Sequence, residues 1–354
     1  YFKEVDFTTS RGSTEDKINL DVKIEEAPTG AVTFGAGYST LEKVVGSASV
    51  SDRNLFGLGY HAVLRFNLGF ETQTGRLSLT DPYFLGSRFA AGVDLYHERI
   101  EYFTEYHYKT TGGDLRLGRY LIGNFRIDAM YKYEVIDVYD VASGASFYIR
   151  SQEGKKATSA ISLAPSIDAR DDFFNPRRGN KSTLFIQNAG GILGGDNYFV
   201  KVHGQTSWFF PLPLGTTLNL RAQAGAIMPY GGTTLPIYEK FFVGGINTVR
   251  GFEYGMAGPK DQYNQPIGAK KVVVFNTELI FPISREIGLR GAIFFDAGKG
   301  FDKWSQMTPL RFGTGPGIRW YSPFGPIHID LGFNLSPKRG EKGHVIDFTA
   351  GTVY

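Results

Sequence analysis

The sequence predicts an all-β fold: a sixteen-stranded antiparallel transmembrane β-barrel, preceded by the remnant of a small α+β domain. Three observations support this prediction. Apolar and polar residues alternate over unusually long stretches, the polar face carries full charges in mid-strand, and aromatic pairs stand beside the turns. A strand tilted across a bilayer needs about 9–11 residues, and a wet barrel interior accepts charges that a dry core rejects.

Composition narrows the class of protein further. The 354 residues include 45 glycines and no cysteine, 15% of them are aromatic, and the formal net charge is +3. No stretch approaches the ~18 continuous apolar residues of a transmembrane helix. The absence of cysteine rules out disulfides, thiol catalysis and cysteine-ligated metal sites. Charges of both signs are interspersed along the sequence. The chain therefore lacks the basic stripe that would indicate nucleic-acid binding.

Residues 1–28 differ from the rest of the chain because they are rich in charged residues. Two candidate strands, 2–8 and 17–25, flank a turn at residues 11–13, and Pro28 ends the segment. This pattern is typical of the end of a small soluble α+β domain. The chain begins in mid-pattern and without an initiator methionine, so we expect it to be a fragment of a longer protein.

In the remaining sequence, period-two alternation is the dominant signal. In the stretch 124–137, for example, Phe125 and Ile127 share an apolar face, whereas Arg126 and Asp128 share the opposite one. A soluble β-sandwich alternates in the same way. The length of the stretches and the charges on the polar face favour a membrane barrel over a sandwich.

Sixteen alternating segments follow one another, an even number, as bacterial barrels require. Short turns and longer connections alternate between them. Residues 29–354 are therefore predicted to form the barrel. Its strands are expected at 31–40, 43–52, 59–70, 73–81, 86–99, 103–119, 123–139, 155–171, 180–190, 196–210, 215–229, 271–281, 287–298, 310–321, 325–335 and 344–354.

Aromatic pairs stand next to proline or glycine at several predicted turns. In membrane barrels, girdles of aromatic residues mark the level of the lipid headgroups. These pairs are therefore predicted to lie at the membrane interface. They are Tyr83-Phe84, Phe173-Phe174, Phe209-Phe210 and Trp320-Tyr321.

The longest connection covers about residues 230–270 and lacks clear alternation. Loops of this length in a compact fold are usually functional or disordered. This loop contains Val249, Arg250, Gly251 and Phe252 in a glycine-rich setting. An arginine between apolar neighbours favours bidentate pairing with carboxylates. The alternative is an exposed arginine in a mobile loop.

Two acidic residues on the strands after this loop are candidate partners of Arg250. Where Phe275 and Leu279 face lipid, alternation turns Glu278 into the barrel, and it turns Asp296 inward on the next strand. We expect the loop to fold into the lumen and Arg250 to pair with both acids. The alternative is that the acids only solvate the lumen.

The first and last strands must meet to close the barrel, because an open edge in lipid leaves backbone groups unpaired. Glycines interrupt the first strand, and glycine weakens strands. The last strand has few large apolar groups. We therefore expect a weak seam at this junction, which would be a natural lateral opening. Its predicted residues are Thr33, Phe34, Gly35, Gly37, Phe348, Ala350, Gly351 and Tyr354.

Signals of enzymatic activity are poor. The six histidines are scattered, and the chain has no H-E-x-x-H, G-x-S-x-G or Walker-type motif. Asp168, Asp171 and Asp172 have the chemistry to bind a cation, but a turn capped by carboxylates is the simpler interpretation. An outer-membrane hydrolase that uses His97 on the lipid-facing surface stays open as an alternative. We predict no catalytic residue, cofactor or metal.

Several motifs resemble those of the BamA family of outer-membrane assembly factors. VRGF at 249–252 is similar to the sixth-loop motif of that family, and FFDAG at 294–298 is similar to its Phe-x-Asp-x-Gly strand motif. DPYF at 81–84 resembles a periplasmic turn, and RWYSPFGP at 319–326 resembles the penultimate hairpin. KIEEAPTG at 23–30 resembles the exit from the last POTRA domain. TamA-like insertases and two-partner secretion transporters share the first two motifs.

The resemblance implies a protein of the Gram-negative outer membrane that folds and inserts other β-barrel proteins and is not an enzyme. Residues 1–28 then form the periplasmic remnant of the last POTRA domain. The implied partners are unfolded outer-membrane barrel proteins, accessory assembly lipoproteins, the lipid bilayer and lipopolysaccharide, and no nucleic acid.

In the family, the loop arginine meets acidic residues inside the barrel, which corresponds to Arg250 with Glu278 and Asp296. One departure from the family is the final Tyr354, where Phe or Trp is usual. The alternatives are a polypeptide-secreting pore of the two-partner secretion type, a TamA-like translocation assembly factor and a passive porin.

Overall fold

The computed structural model describes residues 2–14, 16–101, 103–322 and 325–351. These residues form two sheets: a two-stranded sheet near the N-terminus and a closed barrel of sixteen strands. The sixteen-stranded antiparallel barrel predicted from the alternation is thus confirmed. Among the described residues, no helix is long and apolar enough to cross a membrane.

The two-stranded sheet consists of β1 (Phe2–Arg11) and β2 (Ile18–Glu26). Apolar residues of both strands share one face, and Phe7 is paired with Val22 on it. This face is open: 65% of the surface of Phe7 is accessible. The hairpin therefore has an apolar side that no described part of the chain covers.

The barrel strands pair in chain order, and the last strand pairs with the first. Their bounds are β3 (Gly30–Ser39), β4 (Lys43–Leu55), β5 (Tyr60–Gly69), β6 (Thr72–Asp81), β7 (Ala90–Ile100), β8 (His107–Ile122), β9 (Phe125–Tyr139), β10 (Gly154–Asp168), β11 (Gly179–Ala189), β12 (Phe199–Pro211), β13 (Thr217–Pro229), β14 (Lys271–Ser284), β15 (Leu289–Phe301), β16 (Arg311–Ser322), β17 (Gly325–Asn334) and β18 (His344–Gly351). The predicted strands agree with these bounds to within a few residues.

The connections between strands alternate between the two ends of the barrel. The end at which β3 begins, here called the turn end, carries mostly short connections, and the four aromatic pairs lie at or beside them. The opposite end, here called the loop end, carries the longest connections. They include 140–153, which contains the short helix α1 (Phe147–Arg150), and the loop 230–270.

Alternation separates an apolar outer surface from a charged inner one. On β14, Phe275 is 51% exposed on the outside, whereas Glu278 is only 8% exposed on the inside. Asp296 on β15 is fully buried on the inside. This distribution is the one that a bilayer imposes on a barrel wall.

The loop 230–270 folds back into the barrel. Val243 and Val249 are fully buried and pack with Val272 of the inner wall. Near the loop end, the ring of Phe103 lies 5.1 Å from that of Phe242. Because Phe103 packs against the loop and not in the wall, β8 begins at residue 107, and the predicted start at 103 was wrong.

Candidate functional site

The loop segment 249–252 lies against the inner wall formed by β14 to β17. Val249 and Phe252 are buried, and only 4% of Arg250 is accessible. Gly251 has φ +88°, and a Cβ on it would lie 2.7 Å from the carbonyl carbon of Phe333 on β17. Only glycine allows the loop to approach the wall this closely.

Arg250 and Asp296 form a bidentate ion pair. Nε of Arg250 donates to Oδ2 of Asp296 at 2.7 Å, and Nη2 donates to Oδ1 at 2.8 Å. The backbone N–H of Arg250 also donates to Oδ2, at 3.0 Å. Both carboxylate oxygens thus accept hydrogen bonds from one loop residue, which fixes the position and orientation of the loop.

Glu278 on β14 is the second partner of Arg250. Nη1 of Arg250 donates to its Oε2 at 3.0 Å, and Nε of Arg319 on β16 donates to its Oε1 at 3.0 Å. Arg319 also donates through Nη2 to Asp330 on β17, at 3.0 Å. We call this group, which consists of Arg250, Glu278, Asp296, Arg319 and Asp330, the loop anchor.

The loop anchor combines two guanidinium groups and three carboxylates, all of them buried. The guanidinium carbon of Arg250 also lies 3.7 Å from the centre of the Phe294 ring, where a cation–π interaction adds to the ion pairs. In such an environment each charge depends on its partners, because removing one leaves another uncompensated. The loop is therefore tied to four neighbouring strands by one interdependent network.

The sequence did not predict Arg319 and Asp330 as site residues. Each follows an outward-facing isoleucine, Ile318 or Ile329, so alternation already turns both into the lumen. Their approach to Glu278, however, depends on the register between strands. Alternation along one strand carries no information about that register.

Glu239 belongs to the same loop and binds it to a different part of the barrel wall through ion pairs. The sequence did not predict this contact. Its Oε2 accepts a hydrogen bond from Nζ of Lys201 on β12 at 3.0 Å. Its Oε1 lies 3.7 Å from Nζ of Lys132 on β9. Only 7% of Glu239 is accessible. The loop has no regular alternation, so its sequence does not show towards which part of the barrel a single acidic side chain points.

At the loop end, Glu341 joins the loop to the connection that leads into β18. Its Oε1 accepts a hydrogen bond from Nζ of Lys260 at 2.7 Å, and its Oε2 accepts one from Nη2 of Arg311 at 2.5 Å. Next to it, Nζ of Lys342 lies 2.7 Å from Oε1 of Glu253. The loop is thus connected to the hairpin that contains the last strand.

The contact at Glu341 is expected to resist acid. Burial raises the pKa of this carboxyl, but hydrogen bonds from Arg311 and Lys260 outweigh burial and lower the pKa to about 2. This pKa lies below that of a glutamate in an unfolded chain, about 4.3. The contact therefore contributes stability that is present above about pH 4 and is lost as the pH falls towards 2.

Hydrogen exchange of residues 335–343, corrected for its intrinsic pH dependence, measures this effect. We expect protection to persist at about pH 4 and to vanish near pH 2. In the variant Glu341→Gln, protection should be low at every pH. Loss of protection in the unmodified protein already at about pH 5 would contradict the assignment.

The seam between β18 and β3 is the least paired junction among the described barrel strands. It has three residue pairs, whereas β8 and β9 share fifteen. Next to these pairs, the N–H of Thr40 donates to the carbonyl of Phe348 at 3.0 Å, and the rings of Tyr38 and Phe348 lie 5.5 Å apart. The three pairs are Thr349 with Ser39, Ala350 with Tyr38 and Gly351 with Gly37.

The predicted seam residues of β3 are divided between a paired and an unpaired segment. Gly37 pairs across the seam. Thr33, Phe34 and Gly35 pair with β4 on their other side and with no described residue of β18. Phe34 is 78% exposed. Tyr354, predicted on the last strand, lies outside the described residues.

The acidic cluster near residue 170 shapes a turn-end connection. Asp168 accepts hydrogen bonds from Nε and Nη2 of Arg170 at 2.8 and 2.7 Å. Asp171 and Asp172 accept hydrogen bonds from backbone N–H groups of the same connection. These contacts are those of carboxylates that cap a turn.

His97 lies on the outer surface of β7. Its Nδ1 is 2.7 Å from Oγ1 of Thr111 on the neighbouring strand, an ordinary cross-strand contact. Within the described ranges, no three His, Asp or Glu side chains are grouped in a way that could hold a metal ion.

Fold and site together define a class of protein: a transmembrane β-barrel with its longest loop fixed in the lumen and, among the described strands, a weakly paired junction in its wall. The chain belongs to the Omp85 superfamily, whose domain matches residues 54–354. The resemblance that the loop motif indicated is thereby confirmed. The chain is an integral protein of the bacterial outer membrane.

Known relatives agree with this assignment. Outer membrane protein assembly factor BamA of Nitratidesulfovibrio vulgaris is 29% identical over 348 residues, which cover 97% of this chain and 44% of that protein. The crystal structure of BamA from Haemophilus ducreyi lacking POTRA domains 1–3 superposes with a TM-score of 0.89 at 22% identity, covering 99% of this chain and 75% of that one. CdiB from Escherichia coli shares the fold with a TM-score of 0.61 at 15% identity, covering 99% and 67%. The chain spans about half the length of the curated relatives it matches.

Proposed function

We propose that the full-length protein folds β-barrel proteins and inserts them into the outer membrane, without enzymatic chemistry. The observation that carries this proposal is the seam. In the described chain β3 and β18 share three residue pairs, and residues 30–36 of β3 pair with β4 alone. Three matching relatives are each named outer membrane protein assembly factor BamA, which supports the same function.

A weakly paired strand edge is a template for another strand. In the bilayer, each unpaired backbone N–H or C=O group costs several kcal/mol. An incoming unfolded chain that pairs with the edge of β3 satisfies these groups by β-augmentation. A substrate barrel would then begin to form at the seam and leave it sideways into lipid. Backbone hydrogen bonding and apolar burial supply the free energy, so the step requires no nucleotide or metal.

The loop anchor supports this mechanism by stiffening the wall next to the seam. It ties β14 to β17 to the loop through buried ion pairs. Strain on the barrel is then relieved at the junction with the fewest backbone hydrogen bonds. Among the described strands, that junction is the seam between β3 and β18.

A polypeptide-secreting pore would use the lumen instead of the wall. The loop 230–270 fills part of that lumen with buried residues such as Val243 and Ile237, so a secretion pore would first have to displace the loop. It also opposes a passive porin. A TamA-like assembly factor would share both seam and loop anchor, so only its substrates distinguish it.

Residues 1–28 are proposed to be the C-terminal part of the last POTRA domain, in the periplasm. The exposed apolar face of the β1–β2 hairpin supports this proposal, because a sheet face of this kind is normally covered by a second layer. The turn end of the barrel then faces the periplasm. Accessory assembly lipoproteins and lipopolysaccharide are proposed as further partners.

Reconstitution tests the proposed function. The full-length protein and its accessory lipoproteins are placed in proteoliposomes, and a urea-unfolded barrel protein is added. We expect membrane insertion of the substrate, followed by protease protection and heat-modifiable migration, to be roughly tenfold faster than in empty liposomes. Substrate that accumulates in the liposome interior, or large stable ion conductance without insertion, would instead favour a secretion pore.

A further inference from the structure

Three arginines converge on one cavity at the turn end of the barrel. Arg290 belongs to β15 and is only 6% accessible. Arg177 and Arg285 come from two different turn-end connections and are exposed. The cavity has a volume of about 510 Å³, and Tyr321 forms part of its wall.

The hydrogen bonds of Arg290 fix its guanidinium group without neutralising it. Nη1 donates to Oδ1 of Asn175 at 2.5 Å, and Nη2 donates to the carbonyl of Gly215 and to Oγ1 of Thr217, both at 3.3 Å. Nη2 of Arg177 donates to the same Gly215 carbonyl at 3.2 Å. All of these acceptors are uncharged.

No described carboxylate is paired with any of the three arginines. None of them forms a salt bridge within the part of the chain that the structure describes, whereas the buried Arg250 and Arg319 do. Asp171 and Asp172 lie in the same connection as Arg177. Their carboxylates accept hydrogen bonds from backbone N–H groups of that connection and form no salt bridge with the described Arg177 guanidinium group. Glu286 follows Arg285 and is exposed to solvent. The charge of the buried Arg290 is uncompensated, which is costly, so the cavity favours an anion.

The cavity faces the water at the turn end and not the surrounding lipid. Arg290 belongs to the inward row of β15, together with Asp296. Asn175 comes from the connection between β10 and β11, four strands away from β15. Its contact with Arg290 therefore crosses the inner side of the barrel rim. An occupant would approach from the aqueous mouth of the barrel.

We propose that this cavity binds a carboxylate group of a polypeptide segment that enters the barrel at the turn end. Guanidinium groups match carboxylates in bidentate geometry, and three of them converge here. The choice of a polypeptide rests on the proposed function, which brings unfolded chains to this end of the barrel. Inorganic phosphate and anionic lipid headgroups have similar chemistry and are separate outcomes of the test.

Fluorescence anisotropy tests the proposal on the full-length protein in nanodiscs of zwitterionic lipid at low ionic strength. The probe is a dye-labelled Gly/Ser octapeptide that ends in two glutamates and a free carboxylate. The comparison peptide ends in two glutamines and an amide. We expect the acidic peptide to bind roughly tenfold more tightly, and Arg285→Gln and Arg290→Gln each to weaken its binding roughly tenfold.

Arg53→Gln is the matched control. Arg53 is an exposed arginine at the same end of the barrel but outside the cavity, so the variant loses the same charge. Its affinity for the acidic peptide should be unchanged. Arg285→Gln guards against a folding artefact, because Arg285 is exposed and its replacement leaves no buried group unpaired.

Equal affinity for the two peptides, or equal weakening by Arg53→Gln, would overturn the proposal. Displacement of the probe by inorganic phosphate alone, or by anionic lipid in the nanodisc, would assign the cavity to those anions and also overturn it. The insertion assay keeps the two proposals separate. If the unmodified protein inserts substrates but does not prefer the acidic peptide, only the carboxylate site is wrong. If it binds the peptide but inserts nothing, only the proposed function is wrong.

Discussion

Replacing Asp296 by asparagine is expected to release the loop from the barrel wall. The substitution preserves the volume of the side chain but removes the negative charge that Nε and Nη2 of Arg250 contact at 2.7 and 2.8 Å. Breaking a buried ion pair by removing one partner destabilises the folded state by roughly 3–5 kcal/mol. Limited proteolysis with mass spectrometry measures the release. We expect new cleavage within residues 230–270, which the unmodified protein protects.

Asp94→Asn is the matched control for this variant. Asp94 is also buried, and it accepts hydrogen bonds from Arg116 at 2.8 Å and Arg76 at 3.3 Å on another part of the wall. Its replacement should lower barrel stability without exposing the loop. The double variant Arg250→Gln, Asp296→Asn should lose less stability than the two single variants summed, because both charges of the ion pair are removed together and Glu278 keeps Arg319 as a partner. Equal loop cleavage in Asp94→Asn and Asp296→Asn would contradict the loop anchor.

Amide hydrogen exchange is expected to differ between alternate residues of β3. The N–H of Thr40 crosses the seam to Phe348, so alternation directs the N–H groups of the even-numbered residues within 30–38 to the same side. The N–H groups of residues 33 and 35 point to β4. We expect the even-numbered amides of residues 32–36 to exchange roughly 100-fold faster, because opening the seam costs less than opening the wall. Equal protection of both sets would contradict a weak seam.

The barrel was predictable because lipid leaves few alternatives. A chain that exposes apolar side chains outward and keeps charges inward must pair every backbone group, and only a closed barrel does so with strands. Charged residues in mid-strand, such as Lys132 and Glu134, therefore distinguished a barrel from a sandwich. Strand ends were harder to predict. Phe103 and Tyr106 continue the aromatic pattern in sequence, but at the loop end they pack in one apolar cluster with Ile149 and Ile237 and do not belong to the wall.

The loop anchor was predictable only in part. Alternation turned Glu278 and Asp296 into the lumen, and Arg250 was the charged residue of the loop motif; the structure brings these three together. The sequence could not predict that Arg319 and Asp330 contact these three residues, because such contacts depend on strand register, which is set by pairing across the whole sheet. Glu239 and the arginines of the turn-end cavity depend on how connections fold in three dimensions. Local sequence patterns do not show how those connections run in three dimensions.

Insertion through an opening seam is tested most directly by a disulfide across it. The chain has no cysteine, and Ser39 stands opposite Thr349 in the register of the seam. Side chains at directly opposite positions lie close enough for a disulfide. Both residues are replaced by cysteine in the full-length protein. A second variant carries cysteines in place of Ser182 and Thr206, which are hydrogen bonded at 2.6 Å between the well-paired strands β11 and β12.

The measurement is the rate at which proteoliposomes insert an unfolded barrel substrate, first with each disulfide formed and then after reduction. Opening of the seam predicts that the Ser39–Thr349 disulfide blocks insertion and that reductant restores it. The control disulfide should have no effect, because β11 and β12 stay paired throughout. Insertion at the unmodified rate with a verified Ser39–Thr349 disulfide would contradict insertion through the seam.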